Sequence, residues 1–97
     1  MLTVRINGEA RKWPDEADEQ WVTQRINGLR RQDIPLCVQV TVDAVNLTFQ
    51  TRGCASGGAV SSLSRDQQRI LDLWRRLHLD EEEVTAGNVL AFVKQVA

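Results

Sequence analysis

The sequence predicts an α+β domain with the element order ββαββαα, in which helices pack one antiparallel or mixed sheet. Two segments alternate apolar and polar residues as half-buried strands do, and three others carry apolar residues at helical spacing. With 97 residues, 42% hydrophobic and 26% charged, the composition is that of an ordinary globular protein. We therefore expect a single domain over residues 1–97.

The first alternation covers residues 2–6 and leads directly into Asn7-Gly8, the strongest short hairpin signal because both residues tolerate positive φ. Glu9 to Trp13 is the predicted return strand. A two-residue hairpin places Trp13 beside Leu2 on the buried face. The other side chains of the return strand are mostly polar, so we expect it at an edge of the sheet.

Residues 16–27 are predicted to form the first helix. Asp15 can accept hydrogen bonds from the free amides at its start, and the acidic residues that follow suit the helix dipole. Asn27-Gly28 fits a left-handed helix terminus.

The clearest feature is a second hairpin formed by residues 36–43 and 45–51. A two-residue turn at Asp43-Ala44 would pair Val42 with Val45 and Val40 with Leu47, and a four-residue turn would keep the same faces. The opposite face is polar but uncharged, and is either solvated or a contact surface. It carries Cys37, Gln39, Thr41, Asn46, Thr48 and Gln50.

The spacing of Cys37 and Cys54 argues against a disulfide. Cys37 would lie opposite about residue 50, which leaves Cys54 roughly 13 Å further along at strand rise. That exceeds the Cα separation of about 7 Å that a disulfide tolerates, unless the chain folds back. The longest apolar run, Val89 to Val93, is too short for a membrane span. A reduced, cytoplasmic protein without a membrane partner is the expectation.

Residues 53–62 are rich in glycine and serine and are predicted to connect the sheet half to the C-terminal helices. Ser64 and Gln67 match a capping box at the start of the next helix. The last helix is predicted to begin near either Asp80 or Thr85. Its apolar face ends near Lys94, where a cation suits the dipole.

Several chemistries lack the residues they need. One histidine and two cysteines cannot complete a zinc site at any usual spacing, so we expect no metal, and His78 is expected to have a capping or surface role. A net charge of −1 and the absence of tyrosine argue against nucleic acid binding. The acidic and basic clusters match helix starts and ends. No catalytic constellation and no cofactor motif emerges, so we expect that the protein is not an enzyme.

The segment from Arg52 through Gly57-Gly58 is the exception that keeps a second hypothesis open. Backbone amides of such a loop, with Arg52 nearby, can hold an anion, and an exposed Cys54 can be a reactive thiol. The sequence lacks the lysine of a phosphate-binding loop and the arginine of the cysteine phosphatases. A small anion-binding or thiol-dependent protein centred on Arg52 and Cys54 is therefore the alternative function.

The opening Leu2-Thr3-Val4-Arg5-Ile6-Asn7-Gly8-Glu9, with a helix and a second hairpin after it, resembles β-grasp domains such as the ubiquitin-like sulfur carriers. The resemblance covers about the first half and implies a β-grasp-like sheet followed by a C-terminal helical hairpin. Those carriers act through a C-terminal Gly-Gly, whereas this chain ends Gln95-Val96-Ala97. The carrier chemistry is therefore not transferred.

The main prediction is a small non-catalytic module that binds another protein or itself. The last two helices carry more large apolar residues than one small sheet face is expected to cover, although packing on their own sheet is the alternative. The predicted surface for a partner or a second copy comprises Trp74, Leu77, Val89, Phe92 and Val93. A further option is that the edge strand Glu9–Trp13 accepts an extended peptide as an added strand.

Overall fold

The computed structural model describes residues 1–54 and 62–97, and it confirms the α+β class and the order ββαββαα. Four strands form one sheet, with three helices beside it. The elements are β1 (Leu2–Ile6), β2 (Glu9–Trp13), α1 (Glu19–Arg31), β3 (Val38–Val42), β4 (Leu47–Gln50), α2 (Arg65–Arg76) and α3 (Ala86–Val96). Most of the predicted connector lies outside the described residues.

The strand order is β2-β1-β3-β4 and every neighbouring pair is antiparallel. The first hairpin has the predicted register, with Leu2 opposite Trp13, and its turn residues Asn7 and Gly8 both have positive φ. The edge position predicted for β2 is confirmed. A β-grasp sheet contains a parallel central pair, so the antiparallel pairing of β1 with β3 limits that resemblance to element order.

The second hairpin uses the longer of the two turns. A short 3₁₀ turn at Asp43–Val45 is followed by Asn46 at φ 51°, and Val42 pairs with Leu47. The pairing of Val42 with Val45 was therefore wrong, because the 3₁₀ turn and the left-handed Asn46 occupy four residues. A shift of two positions keeps the predicted faces, since side chains alternate with period two.

Helix α1 begins and ends later than predicted. Its N-cap is Asp18, which accepts from the amide of Trp21, while the chain just before it forms a turn against β2. Gly28 is helical, the helix ends at Arg31, and Asp33, just after the C-cap Gln32, is left-handed. Aspartate is one of the few side chains that tolerate this conformation.

One face of the sheet, together with the helices, forms the hydrophobic core. Phe49 of β4, Trp74 of α2 and Phe92 of α3 meet there with ring centroids 4.9–5.9 Å apart. Such aromatic groups contribute more than their buried area alone. The alternating inward residues of β1 and β3 lie in the same cluster: Leu2, Val4, Ile6, Val38, Val40 and Val42.

The predicted partner surface on the last two helices is corrected by this packing. Trp74, Val89, Phe92 and Val93 are at most 2% exposed, and Leu77 is half-buried against the same core. Among the described residues the exposed large hydrophobic side chains are Met1 and Ile34. The apolar face is therefore covered by α1, the sheet and the mutual contacts of α2 and α3, as the alternative predicted.

Within the described ranges, no helix combines the length and the apolar character needed to cross a bilayer. The same ranges contain no group of three or more histidine, cysteine or acidic side chains placed to hold a metal ion.

Candidate functional site

The helices leave one side of the sheet uncovered by any described element. Side chains alternate along each strand, and paired residues lie on the same face. The strand register therefore identifies the residues on this side. We call it the outer face, and it consists of Thr3, Arg5, Ala10, Lys12, Gln39, Thr41, Thr48 and Gln50. These side chains are exposed or half-buried.

The polar side chains of the outer face are ordered in rows across the strands. Thr41 and Thr48 share a hydrogen bond of 2.8 Å between their hydroxyls, and Thr3 lies opposite Thr41 on the next strand. In the neighbouring row the Nε2 of Gln39 donates to the Oε1 of Gln50 at 3.1 Å. Such cross-strand pairs stabilise the sheet and also restrict the side-chain rotamers.

The charge on the outer face has one sign. Arg5 and Lys12 are exposed cations on adjacent strands, and none of the eight outward side chains is acidic. The face is therefore rich in hydrogen-bonding groups and is positively charged on the side formed by β1 and β2. The sequence singled out the polar strand pair of this surface but not the two cations, because those belong to the first hairpin.

The open edge of β2 is less accessible than a free edge strand. The carbonyl oxygen of Lys12 accepts from the amides of Glu16 (2.7 Å) and Ala17 (3.0 Å), and the Lys12 amide donates to Oε1 of Glu16 at 3.3 Å. The turn before α1 thus satisfies the backbone groups that a peptide strand would need at this position. Addition of a peptide along the whole strand would first require displacement of this turn.

Cys37 and Cys54 form a disulfide, so the prediction of two separate thiols was wrong. The strand does not continue in line after Thr51. A turn closes there, with the amide of Cys54 donating to the carbonyl of Thr51 at 3.2 Å, and brings the two Cα atoms to 4.7 Å. The estimate of 13 Å assumed extended chain beyond β4. Cys54 therefore carries no free thiol in this structure.

Arg52 lies beside the disulfide and lines a cleft of about 410 Å³. Glu82 lines the same cleft, so an anion next to Arg52 would also approach a carboxylate. The structure does not bring a second basic side chain into this cleft, within the residues it describes. The backbone amides that the sequence suggested for anion binding fall largely in 55–61, outside the described residues.

Two residues that the sequence reasoning missed shape this corner. Thr51 is 3% exposed, and its hydroxyl accepts from the amide of Val38 at 3.0 Å. Gly53 lies so close to Leu36 that a Cβ would overlap the Leu36 carbonyl oxygen and come within 3.1 Å of its carbon. The glycine immediately before a cysteine was the available signal for this close backbone approach.

Replacement of Gly53 by alanine is expected to destabilise the protein by about 1–3 kcal/mol, the usual cost of overpacking. The obstacle is backbone, which cannot rotate away as a side chain would. Urea denaturation compares this variant with Gly87→Ala, where a new Cβ meets no described atom within 4 Å. Equal midpoints for the Gly53 variant and the unmodified protein would contradict the close approach.

No family model, no curated protein and no solved structure matches the chain.

Proposed function

We propose that the chain is a small non-catalytic interaction module that binds an acidic protein surface on its outer face. The observation that carries this proposal is a sheet face that no described helix or strand covers, with its ordered polar rows and two exposed cations. A partner with carboxylates opposite Arg5 and Lys12 would complement its charge. No catalytic constellation is needed for such a role.

Two physical features favour binding over simple solvation. The threonine and glutamine side chains already hydrogen-bond across β3 and β4, so less rotamer freedom is lost when a partner docks. The polar groups of the face also offer donors and acceptors for direct or water-mediated contacts.

The area of the outer face limits the strength of the complex that it can form. Four strands of up to five residues give a surface of roughly 19 by 16 Å, or about 300 Å². A standard stable interface buries about 800 Å² on each partner. The face alone therefore suits a weak, transient complex, and charge complementarity would contribute mainly to the association rate.

The test uses three baits, each comprising residues 1–97. They are the unmodified chain, a charge reversal on the outer face (Arg5→Glu with Lys12→Glu), and a matched reversal on α2 (Arg69→Glu with Arg75→Glu). Both double variants change the net charge by the same amount, and all four side chains are exposed. Thermal denaturation checks that all three baits are folded.

We expect quantitative mass spectrometry of captured native extract to show an acidic protein held by the unmodified chain and the α2 variant but lost with the outer-face variant. The purified protein must then bind directly with the same pattern. A protein captured equally by all three baits, or none at all, would contradict the proposal. A light-scattering mass near twice 11.0 kDa that falls for the outer-face variant would assign the face to a second copy instead.

The alternative function at Arg52 and Cys54 stays a prediction, and its thiol-dependent form requires that the Cys37–Cys54 bond first be reduced. The prediction of a cytoplasmic location also stays a prediction. Part of its support was the expectation of reduced cysteines, and disulfides are typical of oxidising compartments.

A further inference from the structure

A second surface, distinct from the outer face, carries a more specific ligand chemistry. Between the edge strand β2 and helix α1 lies a cleft of about 400 Å³. Two arginines and a partly exposed tryptophan line it, together with one carboxylate and two glutamines. The lining includes Glu9, Arg11, Trp21, Gln24, Arg25, Gly28 and Gln32.

The two guanidinium groups are arranged around the position of one carboxylate. Glu9 places its Oε2 at 3.2 Å from Nη2 of Arg11 and its Oε1 at 3.6 Å from Nε of Arg25. The space between the arginines thus has the size of a carboxylate group. Planar carboxylates and guanidiniums pair well because their donors and acceptors match in spacing.

Arg25 is incompletely satisfied in this arrangement. Its Nε is buried and has no hydrogen-bond partner among the described residues, because the oxygen of Glu9 at 3.6 Å is too distant for a hydrogen bond. A terminal nitrogen of Arg25 donates to the carbonyl of Ile6 at 3.4 Å, which fixes the position of the group. A buried donor without an acceptor is unfavourable and favours an incoming oxygen.

Arg11 is held in place by a different contact. Its guanidinium carbon lies 4.8 Å from the ring centroid of Trp21, the geometry of a cation–π interaction. In this position the guanidinium still donates to a carboxylate, as its Nη2 does to Oε2 of Glu9. With two arginines and one glutamate, the charged groups of the cleft carry a net positive charge.

Gly28 supplies an independent observation. It lies inside α1, where glycine is less favourable than alanine, and its φ is not in the left-handed region. A Cβ at this position would meet no atom of residues 1–54 or 62–97 within 4 Å, so packing among these residues does not require a glycine there. The residue lines the cleft and leaves room for a ligand to approach the helix backbone.

We propose that this cleft binds a short extended segment of an acidic protein, with one of its carboxylates between Arg11 and Arg25. Gln24 and Gln32, which flank Gly28 at equal spacing, are about 12 Å apart along the helix. That distance matches three to four residues of extended peptide, whose backbone amides pair well with glutamine side chains. Glu9 occupies the carboxylate position until the ligand displaces it.

The probe is an acetylated and amidated pentapeptide with alanine at positions one, three and five and glutamate at positions two and four. Its control has glutamine in place of both glutamates. Binding is followed by NMR of the ¹⁵N-labelled chain, residues 1–97. The indole N–H of Trp21 is expected to shift and saturate, whereas that of Trp74, which is 2% exposed, stays unchanged.

Removal of a positive charge and removal of the negative charge of the cleft should change the peptide affinity in opposite directions. We expect Arg25→Gln to weaken binding at least tenfold and Glu9→Gln to strengthen it several-fold, because the latter removes the competing carboxylate. Arg69→Gln on α2, with a side chain 74% exposed, is the matched control and should leave the affinity unchanged. A purely structural role of Glu9 would not produce tighter binding when it is neutralised.

The variant Gly28→Ala distinguishes an effect on ligand binding from an effect on stability. We expect its melting temperature to rise by about 3–6 °C, because alanine is more favourable than glycine inside a helix. Binding should weaken several-fold, because the methyl group occupies part of the cleft in which we place the ligand. Gly87→Ala, in the first turn of α3 and equally uncrowded, should leave binding unchanged.

The proposal is overturned if the glutamine peptide shifts Trp21 as strongly as the glutamate peptide, or if Arg25→Gln binds as the unmodified protein does. Acetate or inorganic phosphate that matches the peptide at equal charge concentration would assign the cleft to a free anion and overturn the peptide. Because none of these residues belongs to the outer face, the result is independent of the capture experiment.

Discussion

Replacement of Phe92 by alanine is expected to remove about 3–5 kcal/mol of stability, the usual cost for a fully buried aromatic side chain. Phe92 is 0% exposed and its ring meets those of Trp74 at 4.9 Å and Phe49 at 5.6 Å. Domains of this kind are stable by only about 5–15 kcal/mol, so the variant will populate the unfolded state far more than the unmodified chain does.

Urea denaturation followed by tryptophan fluorescence measures this loss. Leu90→Ala on the same helix is the control, because Leu90 is half-buried and should lose much less. The charged variant Phe92→Asp separates the two interpretations of α3. A core position predicts unfolded protein, whereas a folded monomer of undiminished stability would restore the partner surface that the structure has moved into the core.

Removal of the Cys37–Cys54 disulfide is expected to lower the free energy of unfolding by about 3 kcal/mol, the entropic value for a closed loop of this size. The bond links the residue just before β3 to the turn after β4, two segments already joined by hydrogen bonds between Val38 and Thr51. With a urea m-value of about 1–2 kcal/mol/M, the midpoint should fall by roughly 2 M.

The double variant Cys37→Ala, Cys54→Ala and the reduced wild-type protein should give similar midpoints. Alkylation with iodoacetamide followed by mass spectrometry provides the control for the bond itself. Neither sulfur should react in the native protein without reductant, because both are in the disulfide. Two alkylated cysteines under those conditions would contradict the pairing and return the thiol hypothesis to consideration.

The sequence was sufficient to predict helix caps, because the two residues that form each hydrogen bond are only three positions apart. Ser64 and Gln67 form the predicted capping box, with hydrogen bonds of 3.0 and 3.1 Å. Thr85, one of two predicted starts, caps α3 through the amide of Asn88. His78 is exposed and adopts a left-handed φ of 59° just after α2, in keeping with the predicted capping or surface role.

The features that the sequence reasoning missed depend on contacts between distant segments. Asp15 was an equally good cap for α1 by chemistry, but the amides after it are bonded to Lys12 across the turn. The helix therefore begins later, with Asp18 as its N-cap. The disulfide depends on the close approach of Gly53 to Leu36, which no strand spacing describes.

The predicted excess of apolar residues on α2 and α3 was also misjudged because contacts between distant segments were not visible in the sequence. Counting large residues against one sheet face suggested an exposed surface, but the helices also cover each other. Trp74 and Phe92 meet edge to face between α2 and α3, and Phe49 closes the group from the sheet. The amount of apolar area that a fold can bury depends on this three-way packing and not on composition.

The turn that covers Lys12 at the edge of β2 also bears on how this protein behaves when it is concentrated. Sheets with exposed edge strands tend to pair with one another and can grow into fibrils. Here the chain folds its own Glu16 and Ala17 amides onto the margin, and Glu16 adds a carboxylate at the same position. Growth of the sheet through this side would have to break intramolecular hydrogen bonds first. The turn before α1 therefore hinders edge-to-edge pairing at Lys12.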